Sequence, residues 1–358
     1  MSDEPSDATA AAEISEEAGL DGRLEAIQDS ELAVVGIAVV GVLLFPLVFN
    51  NLLNGYTQLA TLVLVWGIFA LGFDILLGYT GLLSFGHALF WGGAAYAAGI
   101  FSASVSGQPV LVILFGTLIA VLLAWIIGFL SLRRGGIYFA ILTLTFGQMA
   151  FYLSSSPLAF LTNGENGFTS VSIAPLFGVL DLHGSLGGPL AMLPGNTLYL
   201  FVGAVTVLTI ALANRILNSP YGIVFKAIRE NESRAEFVGL DVWRYKLMAF
   251  IISALFAGIS GSLFAIEGNY VPLSSLYWTT SGEVVIMTVL GGVGSLFGPL
   301  FGAAVYLYIE FIVSGMDVVG PFWHLILGLV FVVVVVLFPD GIWGGVTAIR
   351  DYIGGERR

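Results

Sequence analysis

The chain has 358 residues, of which 58% are hydrophobic and only 10% are charged, a composition that excludes an ordinary soluble domain and indicates a protein that crosses a membrane repeatedly. Its 12 basic residues are few and border apolar segments, which argues against nucleic-acid binding. The absence of cysteine excludes disulfide bonds and thiolate sites, and the net charge of −12 comes largely from one end of the chain.

Residues 1–31 form a polar segment that holds ten of the 24 acidic residues and a single basic residue, Arg23. A segment this acidic has too little apolar surface to fold alone, so we predict a disordered cytoplasmic tail. Its acidity would suit the cytoplasm of a high-salt organism, such as a haloarchaeon.

Ten apolar segments follow, and most of them approach the roughly 20 residues that a membrane-spanning helix needs. They lie at residues 32–49, 57–77, 82–101, 110–130, 137–154, 197–217, 247–266, 283–293, 296–313 and 322–338. The eighth segment is short and rich in glycine at its end, so it is a candidate half-helix. The predicted fold is an all-α polytopic membrane protein with about ten transmembrane or part-spanning helices.

Basic residues predict the orientation of these helices, because Lys and Arg are enriched in cytoplasmic loops. The basic groups at residues 133–134, 215–246 and 350–358 all fall on one side if the N-terminus and the C-terminus are both cytoplasmic. The long loop at residues 155–196 would then face outward. We divide the chain into a cytoplasmic tail at 1–31, a transmembrane domain at 32–340 and a cytoplasmic tail at 341–358.

Residues 218–246 form the most charged internal stretch, which we call the charged loop. Together with Arg215 it holds six of the 12 basic residues. Ser219 followed by Pro220 is typical of a helix N-cap and first turn, and Gly239 is typical of a helix end. A structured basic loop of this size favours contact with a partner protein or with lipid head groups over a simple connection.

Two glycine-rich stretches interrupt the apolar segments. Residues 78–87 have the sequence GYTGLLSFGH, and residues 291–299 have the sequence GGVGSLFGP. Unwound backbone at membrane depth occurs only where protein or a cavity surrounds it, and it can offer backbone polar groups to a substrate. On the residues alone, close helix packing is the favoured explanation for most of these glycines.

The chain lacks the sequence pattern of an ATP-binding P-loop. It has two lysines, Lys226 and Lys246, and neither follows glycine or precedes Ser or Thr as a P-loop requires. An ATPase that powers this protein must therefore be another chain, and we expect no cofactor, no metal and no catalytic residue. The candidate residues for ion coupling are the ionisable ones within apolar segments: Asp74, His87, Glu283, Glu310 and His324.

Several stretches resemble ABC importer permeases, specifically the LivM-type branched-chain amino acid permeases. In the charged loop the resemblance lies in SPYG (219–222), AIRENE (227–232), VGLD (238–241) and YKL (245–247). Elsewhere it lies in residues 78–87, in GGIYFAILTL (135–144) and in NGENG (163–167). The resemblance covers about residues 57–310. One departure is that Ser233, Arg234 and Ala235 stand where the general importer pattern has Glu-Ala-Ala.

The resemblance implies a transport subunit of a multi-pass cell-membrane importer, with branched-chain or similar hydrophobic amino acids as substrates. It implies two ATP-binding cassette subunits, a homologous second permease subunit, an extracytoplasmic substrate-binding protein and membrane lipid as partners. The implied ATPase-docking residues are Tyr221, Gly222, Lys226, Ala227, Arg229, Glu230, Arg234, Ala235 and Gly239. The implied translocation pathway contains Gly78, Tyr79, Gly81, Ser84, Gly86, His87, Thr143, Gly291, Gly292 and Gly294.

Three alternatives stay open at this point. The first is a urea or short-amide permease of the same superfamily, whose motifs are similar. The second is an ion-coupled secondary transporter that uses Asp74, Glu283 or Glu310; the family commonly has an amide near position 74. The third is a rhomboid-like intramembrane serine protease, suggested by GISGSLFA at residues 258–265 and by His324. Small residues that allow close helix packing are the favoured explanation of that stretch.

Overall fold

The computed structural model describes residues 31–52, 56–133, 135–184, 196–316, 319–338 and 340–345. The predicted N-terminal tail, except Glu31, and residues 346–358 of the predicted C-terminal tail lie outside this part of the chain. The described residues are mostly helical, and their only extended pairings are two isolated β-bridges.

The α-helices are numbered in chain order. They are α1 Glu31–Leu52, α2 Thr57–Thr80, α3 His87–Ser104, α4 Pro109–Ser131, α5 Ile137–Ser155, α6 Ala159–Thr162, α7 Thr197–Leu217, α8 Pro220–Glu230, α9 Glu232–Phe237, α10 Val242–Gly268, α11 Trp278–Gly291, α12 Gly298–Tyr308 and α13 Trp323–Leu337. A π-helical turn at Ile309–Val313 prolongs α12, and 3-10 turns lie at Gly164–Asn166, Leu273–Leu276 and Gly320–Phe322.

Six of the described helices are long and apolar enough to cross a membrane: α2, α4, α5, α7, α10 and α13 with the turn before it. Two further apolar stretches, Ala33–Phe49 and Gly298–Val313, are shorter. Helix α11 has 14 residues, which at about 1.5 Å per residue is less than a membrane's hydrocarbon thickness. The all-α polytopic class is therefore confirmed, whereas the count of about ten helices stays a prediction.

Three helix starts differ from the prediction by five residues each. The eighth segment is predicted from residue 283, but α11 begins at Trp278, because its first residues, WTTSG, are too polar to be read as part of an apolar segment. The third segment is predicted from residue 82, but α3 begins at His87, because Gly81 ends α2 in a left-handed conformation with φ 73°. The seventh segment is predicted from residue 247, but α10 begins at Val242. The Asp241 carboxylate accepts a hydrogen bond from the Arg244 N–H and caps this charged first turn.

Helix α10 lies at the centre of the fold, packed against α2, α3 and α4. Small residues let its backbone approach its neighbours closely. A Cβ atom on Gly261 would lie 2.0 Å from the carbonyl oxygen of Trp91 on α3. A Cβ atom on Gly258 would lie 2.9 Å from the Cα of Thr117 on α4. The glycines of the GISGSLFA stretch are thus explained by packing between helices.

Two helix–break–helix units lie beside each other. The first consists of α2, the first break (residues 81–86) and α3, and the second consists of α11, the second break (residues 292–297) and α12. Helix α2 packs against both α11 and α12. Within the second unit, α11 and α12 approach so closely that a Cβ atom on Gly302 would lie 1.8 Å from the carbonyl oxygen of Met287.

The segment that follows α5 packs over one end of the bundle. Phe168 and Val271 exchange backbone hydrogen bonds of 2.8 and 3.0 Å, which pins this segment to the connection between α10 and α11. Asn163 adopts a left-handed φ of 65°, and its side-chain amide donates to the Gly167 carbonyl at 3.1 Å. The NGENG stretch therefore forms a tight turn.

Candidate functional site

The charged loop folds into α8, α9 and the first turn of α10, much as its local signals predict. Ser219 occupies the N-cap position of α8 and Pro220 its first position, while Gly239 follows α9 with a φ of 91°. The Ser219 hydroxyl donates backward, to the Ile216 carbonyl at 2.6 Å, rather than capping α8. Asn231 caps α9 by accepting a hydrogen bond from the Arg234 N–H at 2.9 Å.

One face of the charged loop packs against other residues of the loop and against the helix bundle. Phe225, Ile228 and Ala235 are buried, and Gly222 lies so close to α7 that a Cβ atom would sit 2.0 Å from the Leu217 carbonyl oxygen. Two of the predicted docking residues, Gly222 and Ala235, therefore lie on this packed face. The loop is an ordered element with a fixed inner face.

An ion pair between a buried lysine and an exposed glutamate adds to the order of the charged loop. The ammonium of Lys246, which is nearly covered, lies 2.5 Å from the Glu232 carboxylate. This contact joins α9 to α10. Lys246 therefore serves the loop's own structure, although the sequence counts it among the basic residues that could meet a partner.

The other face of the charged loop exposes large apolar side chains. Phe237 is 91% exposed and Val238 is 77% exposed at the end of α9, and Ile223 and Tyr221 are exposed on α8. Several large apolar side chains exposed on one ordered element indicate an interaction surface. Among these four residues the prediction named only Tyr221, because the direction of a side chain on a short helix depends on how that helix is seated.

Two cations on α8 point toward the end of α2. The Arg229 guanidinium donates a hydrogen bond to the Gly78 carbonyl oxygen. One turn earlier, the Lys226 ammonium lies 5.7 Å from the centre of the Tyr79 ring. Cations near a helix C-terminus satisfy its last carbonyls and interact favourably with its dipole. The charged loop is thereby attached to the helix that precedes the first break.

Asp74 attaches the second break to the same point. Its side chain is fully buried on α2, and its two carboxylate oxygens lie 2.9 and 3.1 Å from the Gly294 amide nitrogen, which donates to them. Gly294 has a φ of 84°, which favours glycine. Arg229 lies close enough to attract the carboxylate electrostatically. We call Asp74, Gly78, Arg229 and Gly294 the Asp74 junction.

Gly78 has a steric role in the Asp74 junction. A Cβ atom on Gly78 would lie 2.2 Å from the nearer Asp74 carboxylate oxygen and 2.6 Å from the Gly294 amide nitrogen. No real side chain tolerates such distances, so α2 needs glycine here for the second break to reach Asp74. The junction brings together Gly78 and Gly294, which the sequence predicts in one pathway without predicting their contact.

The predicted pathway residues of the first break form a separate packed group. The ring of His87 is fully buried, with Nε2 2.8 Å from the Ser253 hydroxyl on α10 and three phenylalanine rings edge-on around it. A Cβ atom on Gly86 would lie 2.2 Å from the Thr143 carbonyl oxygen. Ser84 is also buried, whereas Gly81 is exposed. In this conformation these residues make close contacts between helices.

The remaining pathway glycines pack within the second unit. A Cβ atom on Gly291 would lie 2.0 Å from the Gly298 carbonyl oxygen, and one on Gly292 would lie 2.5 Å from the Asp340 carbonyl oxygen. The start of the second break therefore packs against α12 and against the residues after α13, whereas residues 293–297 are half-buried. A role in lining a pathway stays a prediction for these glycines.

The other intramembrane acids lie apart from the Asp74 junction. Glu283 on α11 and Glu310 in the π-helical turn are half-buried and interact electrostatically with each other. Within the part of the chain that the structure describes, no group of three or more His, Asp or Glu side chains could hold a metal ion.

The serine protease alternative fails on geometry. The Ser260 hydroxyl donates to the Val65 carbonyl at 2.7 Å and accepts from the Trp91 indole at 2.9 Å, and the Ser262 hydroxyl donates to the Gly258 carbonyl at 2.8 Å. Both serines are fully buried, whereas His324 is exposed on α13. The serines and the histidine therefore form no catalytic dyad.

Comparisons with known proteins identify similar chains over most of this length. A family model described as "Branched-chain amino acid transport system / permease component" matches residues 55–335. The chain is 32% identical over 263 residues to the "High-affinity branched-chain amino acid transport system permease protein LivM" of Escherichia coli (strain K12). That match covers 70% of this chain and 61% of the relative, so the chain spans about three fifths of that relative's length.

Two further relatives are branched-chain amino acid permeases by name. The protein of that name from Salmonella typhimurium is 28% identical over 301 residues, covering 81% of this chain and 70% of the relative. The "Probable branched-chain amino acid transport permease protein LivM" of Methanocaldococcus jannaschii is 22% identical over 297 residues, covering 71% of this chain and 81% of the relative.

Proposed function

The chain belongs to the branched-chain amino acid transport system permease component family, and from this premise we propose that it is the membrane permease subunit of an ABC importer. It moves branched-chain or similar hydrophobic amino acids inward, and partner chains hydrolyse the ATP. The observation that carries this proposal is the charged loop, which exposes large apolar side chains and is attached through Arg229 to α2 of the first helix–break–helix unit.

Two ATP-binding cassette subunits would dock on the exposed face of the charged loop. The apolar side chains of Ile223, Phe237 and Val238 supply contact area, and the exposed side chains of Glu230 and Arg234 surround them with charge. Protein interfaces commonly combine an apolar centre with a polar rim. Movement of the ATPase subunits then moves α8 and α9, which in turn move the membrane helices.

A second permease subunit and membrane lipid would cover the apolar outer surface of the bundle. Only 28% of the apolar stretch of α4 and of α5 is buried within the protein, and only 17% of the span Gly320–Leu337. By contrast, 94% of the apolar stretch of α2 is buried. An extracytoplasmic binding protein would deliver the amino acid to the opposite end from the charged loop.

We further propose about ten transmembrane or part-spanning helices with both termini cytoplasmic. This arrangement puts all three basic groups on the cytoplasmic side, as the positive-inside rule requires. The acidity of residues 1–31 alone supports a high-salt host, and those residues apart from Glu31 lie outside the part of the chain that the structure describes.

Cysteine labelling tests this orientation in a chain that has no cysteine of its own. Ser170 and Ser233 are both exposed, so each substitution places a reactive thiol at the surface. We expect an impermeant maleimide added to intact cells to label Ser170→Cys and not Ser233→Cys, with both labelled after the membrane is opened. The opposite pattern would reverse the proposed topology.

Co-expression tests the proposed assembly. The permease is produced with two ATP-binding cassette proteins and a second permease from the same genome, and it is purified through its own affinity tag. We expect the ATPase subunits to co-purify and to hydrolyse ATP faster when binding protein and leucine are present. A permease that is folded and membrane-inserted but retains no ATPase subunit would contradict the proposal.

A further inference from the structure

We propose that Asp74 is a positioning residue that couples the charged loop, through the end of α2, to the second break. This inference rests on the proposed function, because it concerns how movement of the ATPase-docking face reaches the membrane helices. It adds a specific carboxylate, which the proposed function does not use, and it gives Arg229 a partner inside the protein.

The Asp74 junction joins three elements that are far apart in the sequence. Asp74 and Gly78 belong to α2, Arg229 to α8, and Gly294 to the second break. Each element is linked by a directional contact: the Arg229 guanidinium donates to the Gly78 carbonyl, and the Gly294 amide donates to Asp74. A displacement of α8 therefore acts on the end of α2 and, through Asp74, on the second break.

The surroundings of the junction are packed closely enough to transmit a displacement. At Gly78 there is no space for a side chain between Asp74 and Gly294, and Gly292 is packed against the Asp340 carbonyl. Protein interiors at this density move between discrete arrangements rather than deforming gradually. A shift of Gly294 is thus expected to move the start of α12 with it, because only three residues separate Gly294 from Gly298.

The chemistry of Asp74 explains why a carboxylate suits this position. A buried carboxylate is stable only if hydrogen bonds and nearby opposite charge compensate for lost hydration. The Gly294 amide supplies the hydrogen bond, and Arg229 supplies the charge. An asparagine would keep an oxygen acceptor for Gly294 but would lose the attraction to Arg229. Because the hydrogen bond from Gly294 is the contact that joins the second break to α2, Asp74→Asn should retain uptake, whereas Asp74→Leu removes both interactions.

The experiment measures uptake of leucine per ATP hydrolysed in proteoliposomes that contain the complete importer. The variants are Asp74→Leu, Arg229→Met and their combination, with Asp74→Asn and Arg229→Lys as conservative replacements. Arg133→Gln is the matched control, because Arg133 belongs to another of the proposed cytoplasmic basic groups and lies over the Phe129 ring, away from the Asp74 junction. Abundance, thermal stability and ATPase co-purification are recorded for each variant.

We expect Asp74→Leu and Arg229→Met each to lower uptake per ATP about tenfold, within the usual range of coupling between two sites. ATP hydrolysis and ATPase co-purification should persist, and the double variant should be no worse than the poorer single variant, because both changes break one linkage. Asp74→Asn, Arg229→Lys and Arg133→Gln should stay within about twofold of the parent, as is usual for changes that spare the coupled contacts.

Several outcomes would overturn the inference without touching the proposed function. Unchanged uptake per ATP in a folded Arg229→Met protein would do so, and this variant at an exposed position decides the question even if Asp74→Leu fails to fold. Loss of ATPase co-purification in Arg229→Met would make Arg229 a docking residue instead. Strictly additive losses in the double variant would show independent effects. Absence of ATP-dependent uptake in the parent protein would instead contradict the proposed function itself.

Discussion

Replacing Phe237 with aspartate is expected to abolish ATPase co-purification while the permease remains folded in the membrane. Phe237 ends α9 with 91% of its surface exposed, so its ring contributes almost nothing to the protein's own core. Buried aromatic anchors contribute strongly to protein interfaces, and a loss of 2 kcal/mol or more corresponds to at least a roughly 30-fold weaker complex. A charge at the centre of the interface would add to that loss.

Phe160→Asp is the matched control for this prediction. Phe160 is 85% exposed, but it lies on α6, in the segment that packs over the opposite end of the bundle. Both variants are purified through the tagged permease, and the amount of bound ATPase is measured by quantitative immunoblotting. Equal retention by Phe237→Asp and Phe160→Asp would show that the exposed face of the charged loop is not the docking surface.

Replacing Gly261 with valine is expected to prevent the bundle from folding. The added Cβ atom would lie 2.0 Å from the Trp91 carbonyl oxygen, and backbone atoms of both helices cannot move aside as a flexible side chain could. The neighbouring Ser260 hydroxyl also accepts the Trp91 indole hydrogen bond, so a shift between α3 and α10 would break that contact. We expect a destabilisation of about 3 kcal/mol or more.

Gly268→Val provides the control on the same helix. No heavy atom lies within 4 Å of a Cβ atom on Gly268, which is the last residue of α10. Fluorescence-detected gel filtration and thermal melting of detergent-solubilised protein compare the two variants. We expect a folded, monodisperse Gly268→Val protein and little or no folded Gly261→Val protein. Similar melting temperatures for both would mean that α3 and α10 do not pack as described.

Local chemistry allowed much of the fold to be predicted. Long apolar runs predict where the helices lie, and Ser219 with Pro220 predicts the start of α8, because these signals act within one turn of helix. The start of α10 was misplaced because the Asp241 cap makes charged residues part of the helix. Hydropathy alone cannot detect such a turn.

The candidate site was less predictable, because it depends on contacts between distant segments. The sequence indicates that Arg229 lies in a loop that meets partners, but not that its guanidinium reaches Gly78, 151 positions earlier. It places Asp74 deep in an apolar segment, but not beside Gly294. It also leaves Phe237 unremarked, because exposure follows from how α9 is seated. Each of these facts requires the tertiary arrangement.

The Asp74 junction also bears on the ion-coupled alternative. A carrier needs an intramembrane group that changes its interactions with an ion during the cycle. In this structure Asp74 already accepts the Gly294 hydrogen bond and faces the positive charge of Arg229. These partners favour a positioning role over cation binding. Glu283 and Glu310, which interact electrostatically with each other, remain the other acids that the ion-coupled alternative would use.

Uptake of radiolabelled leucine into proteoliposomes identifies the energy source and therefore decides between an ABC permease and an ion-coupled carrier. We expect uptake to require the second permease, the ATPase subunits, the binding protein and ATP, and to persist when ionophores collapse the proton and Na⁺ gradients. Uptake by this chain alone that follows an imposed ion gradient, and that Asp74→Asn abolishes in well-inserted protein, would contradict the ABC permease and support the carrier.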